Sequence, residues 1–184
     1  MGKDRIKDVF LKMAEKRTTF NLLFFILVLI LGRASYLSFF IGLPFIVIGI
    51  FIRIVAAGTI KKNVSLTITG PYRICRHPLY LGSFFLSLGL VIIAKNIFIS
   101  FFFLIFFACT YIPAMLKEER FLIGKFGEDY LNYKKNVPCF IPSMRKINNY
   151  NFSWRQLKEN KEYINWIIVS VTIAILLIKS HQIF

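Results

Sequence analysis

The chain is built of long apolar blocks separated by polar, strongly basic segments. Five blocks predict membrane-crossing helices, at 18–32, 35–57, 79–94, 97–116 and 164–178. Crossing roughly 30 Å of hydrocarbon takes about 20 apolar residues. The first, third and fifth blocks are shorter, so flanking Tyr, Asn or Lys serve as interfacial anchors. Arg53 alone interrupts the second. Arg33-Ala34 and Lys95-Asn96 are very short connections, and each closes an antiparallel helical hairpin. The predicted fold is all-α: a polytopic membrane protein with five transmembrane helices, arranged as two hairpins plus a C-terminal span.

Four regions follow. Residues 1–17 carry Ile6, Val9, Phe10 and Met13 at helical spacing between basic residues, an amphipathic helix for the inner leaflet or a plain solvated anchor. Residues 18–57 form the first hairpin. Residues 58–146 hold the third and fourth spans with two polar motifs. Residues 147–184 hold a linker and the last span, the linker centred on 146–151 after Pro138 and Pro142. A second interfacial helix is expected at 154–163.

Charge gives this layout a direction. Of 184 residues, 57% are hydrophobic, yet 24 Lys+Arg face only 9 Asp+Glu, for a net charge of +15. Placed on the five-span layout, 21 of the 24 basic residues fall on one side, and only Arg33, Lys95 and Lys179 on the other. Lys and Arg favour the cytoplasmic side, so the N-terminus is expected there and the C-terminus opposite. A prokaryotic plasma membrane is the expected setting. Topology and anionic lipid account for most of the charge, and no nucleic-acid partner is expected, since such proteins put basic residues on a polar surface.

The cysteines Cys75, Cys109 and Cys139 have no metal-like spacing, and there are two histidines, His77 and His181. Neither a disulfide framework nor a metal site is predicted. Cys109 lies in an apolar run and is expected to be buried. No cleaved signal or lipidation motif is read.

Two polar clusters stand out on the expected cytoplasmic side. The first is 69–82, containing Gly70-Pro71-Tyr72-Arg73 and Arg76-His77-Pro78-Leu79-Tyr80-Leu81-Gly82. Pro78 suits the first turn of a helix, which puts His77 at the N-cap beside unpaired backbone donors. Gly82 permits close approach of a ligand or a helix. The second holds Glu118-Glu119-Arg120, then Phe126-Gly127-Glu128-Asp129-Tyr130 and Tyr133. Glu118 and Glu119 are expected at a helix exit, where the dipole disfavours them and a cation such as Arg73, Arg76 or Arg120 must compensate. The tight outer turn of the second hairpin brings the two clusters together. Simpler roles remain open for each: a plain helix start, a surface ion-pair network, and an interfacial tyrosine belt.

The run GPYRICRHPLYLG followed by EERFLIGKFGEDYLNYKKNVPCFIP resembles the isoprenylcysteine carboxyl methyltransferase family and its phospholipid-methylating relatives, over roughly 62–142. The resemblance implies an S-adenosylmethionine site at the cytoplasmic face. It implies cofactor contacts from the strand-like stretch Val64, Ser65, Leu66 and Thr67, from Tyr72, from His77, Pro78, Leu79 and Tyr80, and from Glu118. A helix start can bind the cofactor's carboxylate, Glu118 its amino group or a ribose hydroxyl, and aromatic rings its adenine or sulfonium. One departure stands out. The family carries an Arg shortly before the Glu pair, and 111–116 has none here; the adjacent Lys117 is no bidentate substitute.

The expected activity is methylation of a lipophilic acceptor that enters from the bilayer: a prenylcysteine-like carboxylate, a phospholipid amine or a small thiol. Positioning supplies much of the rate. An amine or thiol needs a base, for which Glu119, His77 or a Tyr has to serve; Glu119, Arg76 and His77 are the expected catalytic residues. The rival readings are a membrane reductase of a sterol-like or polyprenyl lipid, and a non-catalytic lipid-binding protein.

Overall fold

The computed structural model describes residues 17–61, 64–147 and 151–181. The amphipathic segment expected at 1–17 lies outside these, apart from Arg17, as does the middle of the expected linker. The described residues are all-helical and contain no strand. Six helices are α1 (Arg17–Leu31), α2 (Tyr36–Thr59), α3 (Pro78–Ala94), α4 (Ile97–Asn136), α5 (Trp154–Glu159) and α6 (Glu162–His181). A 3₁₀ turn, Gly70–Arg73, precedes α3. By length and composition α2, α4 and α6 can each cross a membrane, and α1 and α3 are shorter apolar helices.

Local chemistry sets the helix ends. Ser35 and Ser38 form a reciprocal capping box at the start of α2. Asn96 caps α4 by accepting from the backbone N–H groups of Phe98 and Ile99, and its Nδ2 donates to Leu31 O of α1 at 3.0 Å. Lys95 ends α3 in the left-handed conformation, at φ 47°. At the same end of the bundle Lys179 of α6 donates to Leu29 O at 2.7 Å and to Gly32 O at 3.2 Å.

Helices α2 and α3 touch backbone to backbone. A Cβ at Gly89 would lie 2.7 Å from Gly42 O, and one at Gly49 2.7 Å from Gly82 O. Only small residues allow that approach. Against this pair pack Phe24 of α1, Phe84 of α3 and Phe103, Phe107 and Tyr111 of α4, with Phe107 and Tyr111 stacked at 4.2 Å.

Three expectations need correction. Helix α4 does not end near residue 116 but runs 40 residues through Pro113 to Asn136, broken only at Gly127 (φ 53°, ψ −125°). Glu118 and Glu119 therefore sit inside a helix, away from the unpaired carbonyls that a dipole penalty needs. The stretch 64–67 is a turn followed by irregular chain, not a strand. Cys109 is exposed rather than buried, on the face of α4 turned away from the core.

Candidate functional site

The site forms where the 3₁₀ turn, the start of α3, the middle of α4 and residues 137–143 meet. The last segment folds back along residues 74–77: Arg76 N donates to Pro138 O at 2.9 Å, His77 N to Cys139 O at 3.2 Å, and Ser143 N to Ile74 O at 2.9 Å. His77 is the N-cap of α3 with Pro78 at its first position. Tyr133 donates to Tyr72 O at 2.6 Å, which holds the 3₁₀ turn against α4.

Glu119 is the electrostatic centre. It is 4% exposed and carries two ion pairs, Oε1 with Arg76 Nη2 at 2.8 Å and Oε2 with Lys134 Nζ at 2.7 Å. His77 Nε2 lies 3.4 Å from Oε1, and Cys139 Sγ 4.0 Å from the same oxygen. Glu118 faces the other way. Its side chain is 39% exposed, Oε2 accepts from Tyr80 Oη at 2.8 Å, and His77 Nδ1 is 3.8 Å away. The His77 and Tyr80 rings stack at 5.5 Å.

These groups lie beyond the apolar stretch 97–116 of α4 and at the polar start of α3, and their proton affinities follow from their partners. Burial opposes the charged form of His77, but bonds to Cys139 and Glu119 and the nearby Glu118 outweigh it and push its pKa up to about 9. Burial likewise opposes the Glu119 carboxylate, yet His77, Lys134 and Arg76 bring its pKa down to about 2. The Cys139 thiol is lowered, chiefly by His77, whereas burial pushes Cys75 up to about 11. His77 is thus protonated at neutral pH and Glu119 is engaged on both oxygens. Glu118 is the carboxylate of the cluster with an open face.

Two cavities meet at this cluster. The larger, about 610 Å³, lies between α1, α3 and α6 and is lined by His77, Pro78, Leu79 and Tyr80. The smaller, about 170 Å³, lies between residues 60–61, residues 65–67 and α4, and is lined by Ser65, Leu66 and Thr67. Tyr72, Arg76 and Glu118 face both. Val64 is exposed and lines neither. At the shared wall the Tyr72 hydroxyl and Arg76 Nε are buried with no hydrogen-bond partner among the described residues.

Sequence reasoning gives no role to several neighbours. Phe121 lines the smaller cavity beside Phe126 and Tyr130, which the second polar cluster contains without a role. Phe121 follows Glu118 at helical spacing, a signal readable once α4 is known to continue. Cys139 was set aside for lack of spacing, but the chain reversal at 137–143 places it beside His77. Ligating atoms of His77, Glu119 and Cys139 lie within 4.8 Å of one another. Both Glu119 oxygens already hold a cation, so a metal there must displace Arg76 or Lys134. Of the compensating cations expected from the sequence, Arg73, Arg76 and Arg120, it is Arg76 that pairs with Glu119, joined by Lys134.

Residues 39–144 match the profile of the Ergosterol biosynthesis ERG4/ERG24 family. The chain is similar to the Nickel-cobalt-cadmium resistance protein NccN of Alcaligenes xylosoxydans xylosoxydans, 32% identical over 84 residues, which cover 46% of this chain and 39% of that protein. It is also similar to the Protein-S-isoprenylcysteine O-methyltransferase of Rattus norvegicus, 30% identical over 118 residues, 58% of this chain and 42% of the relative. The counterpart in Schizosaccharomyces pombe is 33% identical over 92 residues, 50% of this chain and 39% of the relative. The chain spans less than half the length of these relatives. No solved structure matches it. The likeness to isoprenylcysteine methyltransferases read from the motifs is therefore shared by whole sequence stretches. With three helices able to cross a bilayer, it makes the chain an integral membrane protein.

Proposed function

We propose, from the premise that the chain belongs to the Ergosterol biosynthesis ERG4/ERG24 family, that it is an S-adenosylmethionine-dependent methyltransferase of the membrane acting on a lipophilic acceptor. The observation that carries this reading is the pair of cavities with a common wall at Tyr72, Arg76 and Glu118. A transferase with a polar donor and a lipid acceptor needs two such chambers opening onto one point.

The residues present fit the cofactor. Phe121, Phe126 and Tyr130 offer ring faces for adenine or sulfonium, and Glu118 a carboxylate for the amino group. The unpartnered Tyr72 hydroxyl and Arg76 Nε suit the cofactor's carboxylate. Bound there, S-adenosylmethionine supplies an electrophilic methyl group. Arg76 and Lys134 hold Glu119, Glu119 holds His77, and His77 stacks on Tyr80, so the wall is fixed before any ligand arrives. Glu118, open to water, takes the acceptor's proton where one must leave. Of the three catalytic residues expected from the motifs, Glu119 and His77 act in this reading by positioning, and Arg76 both holds Glu119 and meets the cofactor's carboxylate.

The larger cavity receives the acceptor from the bilayer. In this reading all five apolar helices cross the membrane, the charged end faces the cytoplasm of a prokaryotic cell, and basic residues there meet anionic lipid. The match to an ergosterol-biosynthesis family fits one other reading, a membrane reductase of a sterol-like or polyprenyl lipid. Calorimetry on the purified chain separates the two. Binding of S-adenosylhomocysteine supports the methyltransferase; retention of NADPH with no binding of that product sinks it.

A further inference from the structure

Helix α6 opens with Glu162, whose carboxylate lies on the wall of the larger cavity and is 3% exposed as a residue. It clamps Arg53 of α2. Arg53 Nε donates to Oε2 at 3.0 Å, and Nη2 to Oε1 at 2.8 Å and Oε2 at 2.9 Å. Nη1 donates to Leu79 O at 3.2 Å and to the Ser83 hydroxyl at 2.5 Å. Each nitrogen of the guanidinium is thereby engaged. Asn165 Nδ2 adds a bond to Glu162 at 3.3 Å. Glu162 lies outside the family match at 39–144, so kinship gives no account of it.

Holding α6 in place does not require this pair. Asn160 already ties the entry of α6 to Ala57 O at 2.7 Å, and Lys179 ties its far end to α1. A buried ion pair is no better at fastening helices than apolar residues of the same volume. What the pair does is occupy Arg53. A free guanidinium at this height, bonded to the carbonyl next to Tyr80, is the fork that recognises a carboxylate on two oxygens. The other cations on this cavity are differently placed: Arg76 has Nη2 on Glu119 and Nη1 on Lys134 O, His77 lies between Glu118 and Glu119, and Lys161 is exposed at the rim. Glu118 adds a second carboxylate to the wall, and the rest of the polar lining, such as Asn21, Ser87 and Asn165, is neutral.

We propose that Glu162 is a built-in occupant of Arg53, so that the acceptor cavity selects an uncharged nucleophile (a thiol, a phenol or a free amine) over a carboxylate. The reaction class rests on the methyltransferase reading above. In the step itself the acceptor's lone pair forms the bond to the methyl carbon. The methyl–sulfur bond breaks with its electron pair left on sulfur, and the acceptor's proton passes to Glu118 and then to water.

The test uses the full chain in lipid nanodiscs, first without methyl donor. Dodecanethiol is expected to bind wild type about tenfold more tightly than dodecanoate. Glu162→Gln frees Arg53 and is expected to raise dodecanoate affinity about tenfold while leaving the thiol within about twofold. Arg53→Met/Glu162→Leu fills the same volume with apolar groups and guards against a Gln variant that fails to fold. It is expected to keep the thiol preference and gain no dodecanoate binding. With labelled S-adenosylmethionine, wild type is expected to methylate dodecanethiol, 4-dodecylphenol or dodecylamine ahead of dodecanoate. A wild-type preference for dodecanoate in binding or turnover overturns the proposal, as does an unchanged ratio in Glu162→Gln. Failure to bind S-adenosylhomocysteine defeats the methyltransferase reading instead, and the amphiphile comparison still decides the role of Glu162.

Discussion

Glu119→Gln removes the charge on which the cluster depends while keeping its shape. In the native site that carboxylate holds the buried Arg76 at 2.8 Å and the half-exposed Lys134 at 2.7 Å, with His77 3.4 Å away. Stripping one partner from a buried pair costs about 3–5 kcal/mol. Lys134, with its side chain 39% exposed, adds little to that. The sharper readout is His77. The groups facing it are Glu118 and Glu119 of α4, Cys139 of the returning segment and Tyr80 of α3. They raise its pKa from 6.5 to about 9 against a burial that works the other way. At about 1.4 kcal/mol per unit, the shift is worth roughly 3 kcal/mol. Because the folded value is the higher one, this stability is fully present below pH 6.5 and is lost as pH rises through about 9. The chain has two histidines, so NMR titration of histidine-labelled protein needs one further variant, at His181, for assignment. Native His77 should titrate near 9, and Glu119→Gln should bring it down markedly and lower the melting temperature by several degrees. A native His77 that titrates at or below 6.5, or one indifferent to Glu119→Gln, would refute the network as described.

Other expectations follow from single contacts. Glu118→Ala is expected to abolish methyl transfer and to weaken S-adenosylhomocysteine binding by calorimetry, while Tyr80→Phe, which removes the 2.8 Å bond to Glu118, lowers kcat up to about tenfold. Gly89→Leu places a side chain where the backbone of Gly42 lies 2.7 Å from a Cβ, so purified protein should lose thermal stability by more than about 1–3 kcal/mol, the usual cost of overpacking. Cys139, lowered by His77, should react with iodoacetamide before the buried Cys75, whose thiol is raised to about 11; mass spectrometry of partly alkylated protein reads the order.

The apolar blocks were legible because burying an unpaired backbone in hydrocarbon costs so much that length and composition set each helix. Pro78 marked the start of one, and Ser35 and Asn96 cap two others in the structure, since capping is local chemistry. The far half of α4 has a trace in Leu122, Phe126, Tyr130 and Tyr133 at helical spacing, but its polar composition ends the apolar block at 116. What no local rule encodes is the meeting of distant residues: His77 with Cys139 across the 137–143 reversal, and Arg53 with Glu162 across 109 positions. Even so, the second meeting had a trace. An arginine inside an apolar span needs a partner, and the acids of this chain are few. Glu118 and Glu119 belong to a motif on α4, and Glu128 and Asp129 lie farther along that helix. Glu162 stands at the threshold of the last span, at the depth where Arg53 leaves the second. Charge alone leaves Asp4, Asp8, Glu15 and Glu159 as further candidates, so the pairing of α2 with α6 is decided by the fold. That pairing moves the specificity question away from the missing arginine at 111–116 and onto an arginine that is present and already occupied.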